Sequence, residues 1–220
     1  MRHFLREATD FFAEVGFSGD TKALARRLNV AQPLLYRYFP SKEALIERVY
    51  QETFVATWNP LWEEVLTDRS LDLPARLITF HKDFAQLHLQ RERIRLSLFF
   101  ALHGWDMGTY FRLMRDRVYV PIASGLRDYA GCPGIAAEPL RAVEAEYAKM
   151  VIEKIQYYGI RKWVYAVPDL PPIDELIDIG VCGLIAGARE AIPRFLGVGP
   201  LYRHGQTTYQ TWLRETGDAA

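Results

Sequence analysis

The stretch from Asp20 to Lys42, DTKALARRLNVAQPLLYRYFPSK, decides how this chain folds. Its first half is a short helical pattern in which Leu24, Ala25 and Leu28 share one face, with Asp20 or Thr21 placed to cap the first turn. Asn29 follows, a residue that enters the left-handed turn at little cost, and Val30 returns to the core. A second helix starts at about Gln32, with Pro33 in its first turn, where a missing N–H costs nothing. Leu35 and Phe39 point inward, which leaves Gln32, Leu34, Tyr36 and Tyr38 facing out. Pro40 closes this helix, and Ser41 caps the next one, with Glu43 and Glu47 near its positive end. The pattern is a helix-turn-helix whose second helix can lie in a DNA major groove.

Upstream, Leu5, Ala8, Phe11 or Phe12, and Val15 recur at helical spacing from about His3 to Val15, and Gly16 stops that helix. It braces the two short helices, whose inner faces are too small to form a core alone. Downstream, Ala44, Leu45, Val49, Phe54 and Trp58 form a stripe that ends or kinks near Asn59, ahead of Pro60. That helix is the lever between head and body. Further helices are expected from Leu71, with Asp72 as cap, to about Leu89, from Arg91 to His103, and from Asp106 to Tyr129 with a kink at Pro121. Two long helices follow, Glu138 to about Ala166 and about Asp174 to Phe195, and the tail from Gly199 has the apolar residues for one more. The chain is therefore expected to be all-α, with an N-terminal three-helix head over residues 1–48 and a larger C-terminal helical domain over 49–220.

Composition limits the function without naming it. Half of the 220 residues are apolar and a quarter are charged, the signature of a globular chain. Formal net charge is zero, but residues 1–50 carry +2 and the remainder −2, and a local basic face is enough for contact with phosphates. Cys132 and Cys182 make neither a disulfide framework nor a metal pattern, and no signal segment or bilayer-length apolar run is present, so a cytoplasmic location without membrane contact is expected. Enzyme signatures such as GxxxxGK[ST], HExxH and GxSxG are missing. Glu-x-x-His pairs for a di-metal bundle are missing as well. No enzyme activity, cofactor or metal is expected.

The segment Lys22 to Val30, then Gln32 to Lys42, together with Phe11-Phe12-Ala-Glu-Val-Gly-Phe17, resembles the DNA-binding head of tetracycline-repressor (TetR) type regulators. The shared pattern is an aliphatic-Ala pair, an αL residue before Val, then Leu-Tyr-x-x-Phe and a Ser-Lys helix start. It covers roughly the first fifty residues; the rest of the chain matches the family only in helical layout. The resemblance implies that Gln32 reads adenine, that Pro33 and Leu34 present an apolar surface to a thymine methyl, and that Tyr36, Tyr38 and Lys42 hold phosphate. Thr21 and Lys22 are expected to clamp the adjacent DNA backbone. It also implies a homodimer on a near-palindromic double-stranded operator, released by a small-molecule effector. In such proteins the last two helices form the dimer interface, which here places Ile179, Gly180, Gly183, Ala186 and Gly187 at the contact.

The body is rich in aromatic residues, and Phe84, Phe99, Trp105, Phe111 and Tyr147, with His88 and His103 as polar anchors, are the candidate lining of a pocket for a largely apolar ligand. His81 and His88 lie seven apart on one face, but no further ligand at three or four residues supports a metal there. The competing reading is a helical protein-interaction module that has lost DNA binding. Salt-dependent retention of DNA separates the two.

Overall fold

The structure, a computed structural model, describes residues 2–197; the expected tail helix after Gly199 lies outside them. Every regular element among the described residues is helical. Helix α1 (Arg2–Val15) lies across α2 (Thr21–Arg27), α3 (Gln32–Tyr38) and α4 (Lys42–Tyr50) to make the head. The local signals act as read. Asp20 caps α2 by accepting from the Lys22 N–H, Asn29 sits at φ 55°, Pro33 occupies the first turn of α3, and Ser41 caps α4 through the Ala44 N–H. Gly16 takes φ +76° at the end of α1, a turn that a side chain would strain. Arg27 pairs with Glu14 at 2.7 Å and Glu7 at 3.3 Å, so this arginine ties α2 to α1 instead of facing solvent alone.

Beyond Tyr50 the lever departs from expectation. It widens into a π-helical turn (Gln51–Val55) and stops at about Thr57, short of Asn59. An additional helix, α5 (Leu61–Thr67), follows. Only Trp62 and Leu66 of that short element are buried, too few to show a period in sequence. Asn59 and Trp62 both donate to the Asp83 carboxylate, which fixes α5 on α6 (Leu73–His88).

Helix α7 (Arg91–Leu102) leads to α8 (Gly108–Met114), a second π-helical turn (Arg115–Tyr119) and α9 (Val120–Tyr129). The wide turn sits just ahead of Pro121, where the proline ring would otherwise meet the preceding carbonyls. Helices α10 (Ala142–Trp163) and α11 (Ile173–Phe195) close the body. The start of α10 falls four residues later than Glu138, and the reason is tertiary. Arg127, buried, donates to the carbonyls of Pro133, Glu138 and Pro139 and pairs with the buried Glu144 at 2.6 Å. Those residues are held as a non-helical strap with a turn after Gly134.

Packing is continuous from head to body. Val49, Tyr50 and Phe54 share one apolar cluster with Phe12, Phe17 and Leu35 of the head and with Leu96, Phe100 and Met107 of the body. Phe17 meets Phe100 with ring centres 4.6 Å apart.

Candidate nucleic-acid interface and ligand cavity

In the head, α3 stands with Leu35 and Phe39 buried and Tyr36 and Tyr38 exposed, as its period requires. Pro33, Arg37 and Lys22 are exposed beside them, while Gln32, Leu34 and Lys42 are half-buried. Thr21 is placed differently from the sequence reading. It is buried, and its hydroxyl lies 3.0 Å from the Tyr36 hydroxyl and accepts from Gln32 Nε2 at 2.9 Å. This clasp ties the start of α2 to both turns of α3. Gln32 therefore has its amide nitrogen engaged within the head, with Oε1 left over, and the Thr21 hydroxyl is spent on these two partners. Tyr38 rests against Phe4 of α1 at 5.5 Å, with Arg37 over its ring.

In the body, a cavity of about 980 Å³ opens between the lever and helices α6, α7, α8 and α10. Phe84, His88, Trp105 and Phe111 line it, together with Phe54 of the lever, Arg93, Tyr110 and Tyr119. Phe99 and His103 do not reach it: both pack on Phe17, at 6.1 and 5.3 Å, on the side of α7 that faces the head. Tyr147 is also elsewhere. Its hydroxyl donates to the Leu184 carbonyl at 2.8 Å and its ring meets Phe195, between α10 and α11.

The inner wall of the cavity carries a polar network. His88 lies flat on Phe84 with 3.6 Å between ring centres, and its Nδ1 is 3.0 Å from the Phe84 carbonyl. Its Nε2 faces Arg93 Nη2 at 3.1 Å and the Tyr110 hydroxyl at 3.2 Å. Burial, reinforced by the nearby guanidinium, holds the His88 pKa well below the usual imidazole range, so the ring is neutral. The proton then sits on Nδ1, and Nε2 accepts. Burial likewise pushes the Tyr110 phenol up to about 12 and Arg93 down to about 10. Arg93 reaches across to the lever: Nη1 donates to the Thr53 carbonyl, inside the π-helical turn, and to Thr57 Oγ1 at 2.8 Å. The sequence reading omitted Arg93. Its spacing from Leu96 and Phe100, three and seven residues on, was the available signal that it shares their buried face.

On the last two helices, Ile179, Gly183 and Ala186 are exposed, whereas Gly180 and Gly187 are half-buried against their own chain. A Cβ at Gly187 would stand 2.6 Å from the Tyr147 hydroxyl, and one at Gly180 would touch Val151 at 3.5 Å. At Gly183 it would meet nothing within 4 Å. No helix is long and apolar enough to cross a membrane among the described residues.

A capped helix-turn-helix presented at the end of a helical body defines a DNA-binding transcriptional regulator. Residues 4–49 match the model for bacterial regulatory proteins of the tetR family, so the head is similar to the heads of that family. The fold as a whole is similar to a TetR-like transcriptional regulator from a Rhodococcus species, at 18% identity, 84% of this chain, 95% of that one and TM-score 0.62. A candidate TetR-family regulator from Mesorhizobium loti gives 15%, 84%, 94% and 0.58 in the same order. The TetR-family transcriptional regulator PfmR from Thermus thermophilus gives 21%, 83%, 97% and 0.54. No curated protein matches the chain.

Proposed function

We propose that this regulator acts as a cytoplasmic homodimer that holds a near-palindromic operator and releases it when an apolar small molecule fills the body cavity. The observation that carries the reading is the position of the cavity: its wall includes Phe54 of the lever and Arg93, which bonds to Thr53 and Thr57 of the same lever. An occupant therefore touches the segment that carries the head. A ligand shifts the equilibrium between head spacings only by its difference in affinity for them, and contact with the lever supplies such a difference.

Two-fold pairing is supported by an apolar stripe without a partner among the described residues. Val143, Met150 and Tyr157 recur every seven residues on α10 and are exposed, beside Ile179 at 65% exposure on α11. Among the described residues nothing lies close to Gly183 to explain a residue that costs about 1 kcal/mol in a helix, and a partner helix crossing there would use the gap. On DNA, Gln32, Pro33 and Leu34 face base edges, and Tyr36, Tyr38, Lys22 and Lys42 hold phosphate.

The test has two parts. Purified protein should retain DNA with a steep salt dependence, and Lys42→Ala should lower the slope of log affinity against log salt by about one. Gly183→Leu should raise the helix's own stability yet shift the protein toward monomer by sedimentation, with operator affinity falling alongside. Retention of DNA that ignores salt, or a monomer that binds as tightly as wild type, would refute the reading.

A further inference from the structure

Arg93 is buried at 4% exposure, yet it forms no ion pair among the described residues. Its partners are a carbonyl, a hydroxyl and a neutral imidazole, its guanidinium carbon sits 5.1 Å over the Phe54 ring, and its Nε has no hydrogen-bond partner. A guanidinium placed among aromatic walls without a counter-charge is costly, and apolar surroundings strengthen its pull on any anion that arrives. The carboxylates that border the cavity are elsewhere. Asp106, Glu146 and Glu153 are exposed at its mouth, where Glu146 already pairs with Lys149 at 2.6 Å. Positive charge is thus the deep feature of this cavity, and negative charge is solvated at its rim.

We infer that the cavity takes an apolar acid whose carboxylate is held by Arg93, drawing that side chain away from Thr53 and Thr57 of the lever. The planar fork of arginine matches a carboxylate through two parallel N–H bonds, and Nε is unoccupied to provide one of them. Aromatic walls at Phe84 and Tyr119 suit the remainder of such a molecule. The exchange couples occupancy to DNA. The π-helical turn that Arg93 stabilises through the Thr53 carbonyl loses that donor when the acid binds. This rests on the reading that the cavity governs release of the operator, but the choice of acid over neutral ligand can be tested without DNA.

The full-length protein is titrated with matched acids and primary amides, 2-naphthoate against 2-naphthamide and decanoate against decanamide, followed by tryptophan fluorescence. The acids should bind about tenfold tighter than their amides or better, since a charged hydrogen bond replaces a neutral one. Arg93→Gln should abolish that preference and Arg93→Lys should keep part of it. Amides that bind as well as acids, a preference that survives in Arg93→Gln, or no acid bound at millimolar concentration would each overturn the inference; the wild-type comparison stands even if a variant fails to fold. A second arm follows DNA retention. Acid preference with no release of DNA would leave the acid assignment intact and sink the release reading, whereas amides that bind as well as acids and release DNA would do the reverse.

Discussion

Two buried arginines in this chain do opposite things. Arg127 lies under the strap between α9 and α10 with a full set of partners, two hydrogen bonds to Glu144 and three to backbone carbonyls. Arg93 lies between body and lever with neutral partners and one idle nitrogen. The first is a closed structural joint, since every donor it has is committed within the fold. The second is an open joint, held by contacts weak enough to be exchanged. The difference teaches where to look for control in a helical regulator: at the buried charge left uncompensated among the described residues.

The comparison can be broken most severely at the closed joint. Glu144→Gln leaves Arg127 charged, buried and unpaired, and should cost about 3–5 kcal/mol in urea unfolding. A loss below about 1 kcal/mol would mean that Arg127 is no better satisfied than Arg93. Burial alone would raise the Glu144 carboxyl, but the Arg127 and Arg141 bonds outweigh it and leave it below the usual carboxylate range. Its stabilisation is therefore present above that range and lost as pH falls through the lowered native value.

At the open joint the pH response begins much nearer neutrality. His88 is buried and neutral there, and so is His81 two turns earlier on α6, pushed by burial down to about 4. Below about pH 6.5 the unfolded chain takes up protons that these native rings refuse, so stability should fall with pH by roughly 1 kcal/mol per unit for each histidine. Denaturation curves at pH 7 and 5.5 measure this, and His88→Phe should remove its share of the slope. A slope unchanged in that variant would show His88 to be protonated beside Arg93, and the open joint misdescribed.

The head supplies an intermediate case in the clasp of Thr21, Gln32 and Tyr36. Thr21→Val should cost about 1 kcal/mol of stability and should weaken DNA retention as the clasp loosens, because the hydroxyl leaves two partners unmatched. Full retention would show that α3 needs no support from α2. Arg93→Met should give the smallest stability change, within about 1 kcal/mol of wild type, since an uncompensated charge exchanged for an apolar side chain of similar length is often neutral. A loss as large as that of Glu144→Gln would erase the contrast on which the two joints rest.

Much of the head was legible because its signals are local. Asp20, Asn29, Pro33 and Ser41 each act within about one turn of their own position, and α2, α3 and α4 begin where those residues place them. The body was legible in outline only. Pro60 and Pro168 to Pro172 punctuate it correctly, but α5 has too few inward residues to show a period, and the strap before α10 is held by Arg127 from another helix. Aromatic composition pointed to a cavity without separating its wall from its surroundings. Phe84 lines it while Phe99 and Tyr147 are spent on other contacts.

By itself, then, the sequence determined the helical class and a helix-turn-helix with capped flanking helices, since capping, turn conformation and the 3.6-residue period are decided by near neighbours. Tertiary structure alone decided that Thr21 supports Tyr36 fifteen residues away and that Arg93 meets Thr53 forty residues away with no carboxylate paired to it among the described residues. Whether a buried charge is compensated depends on which side chains the packing brings around it, and no local pattern carries that information.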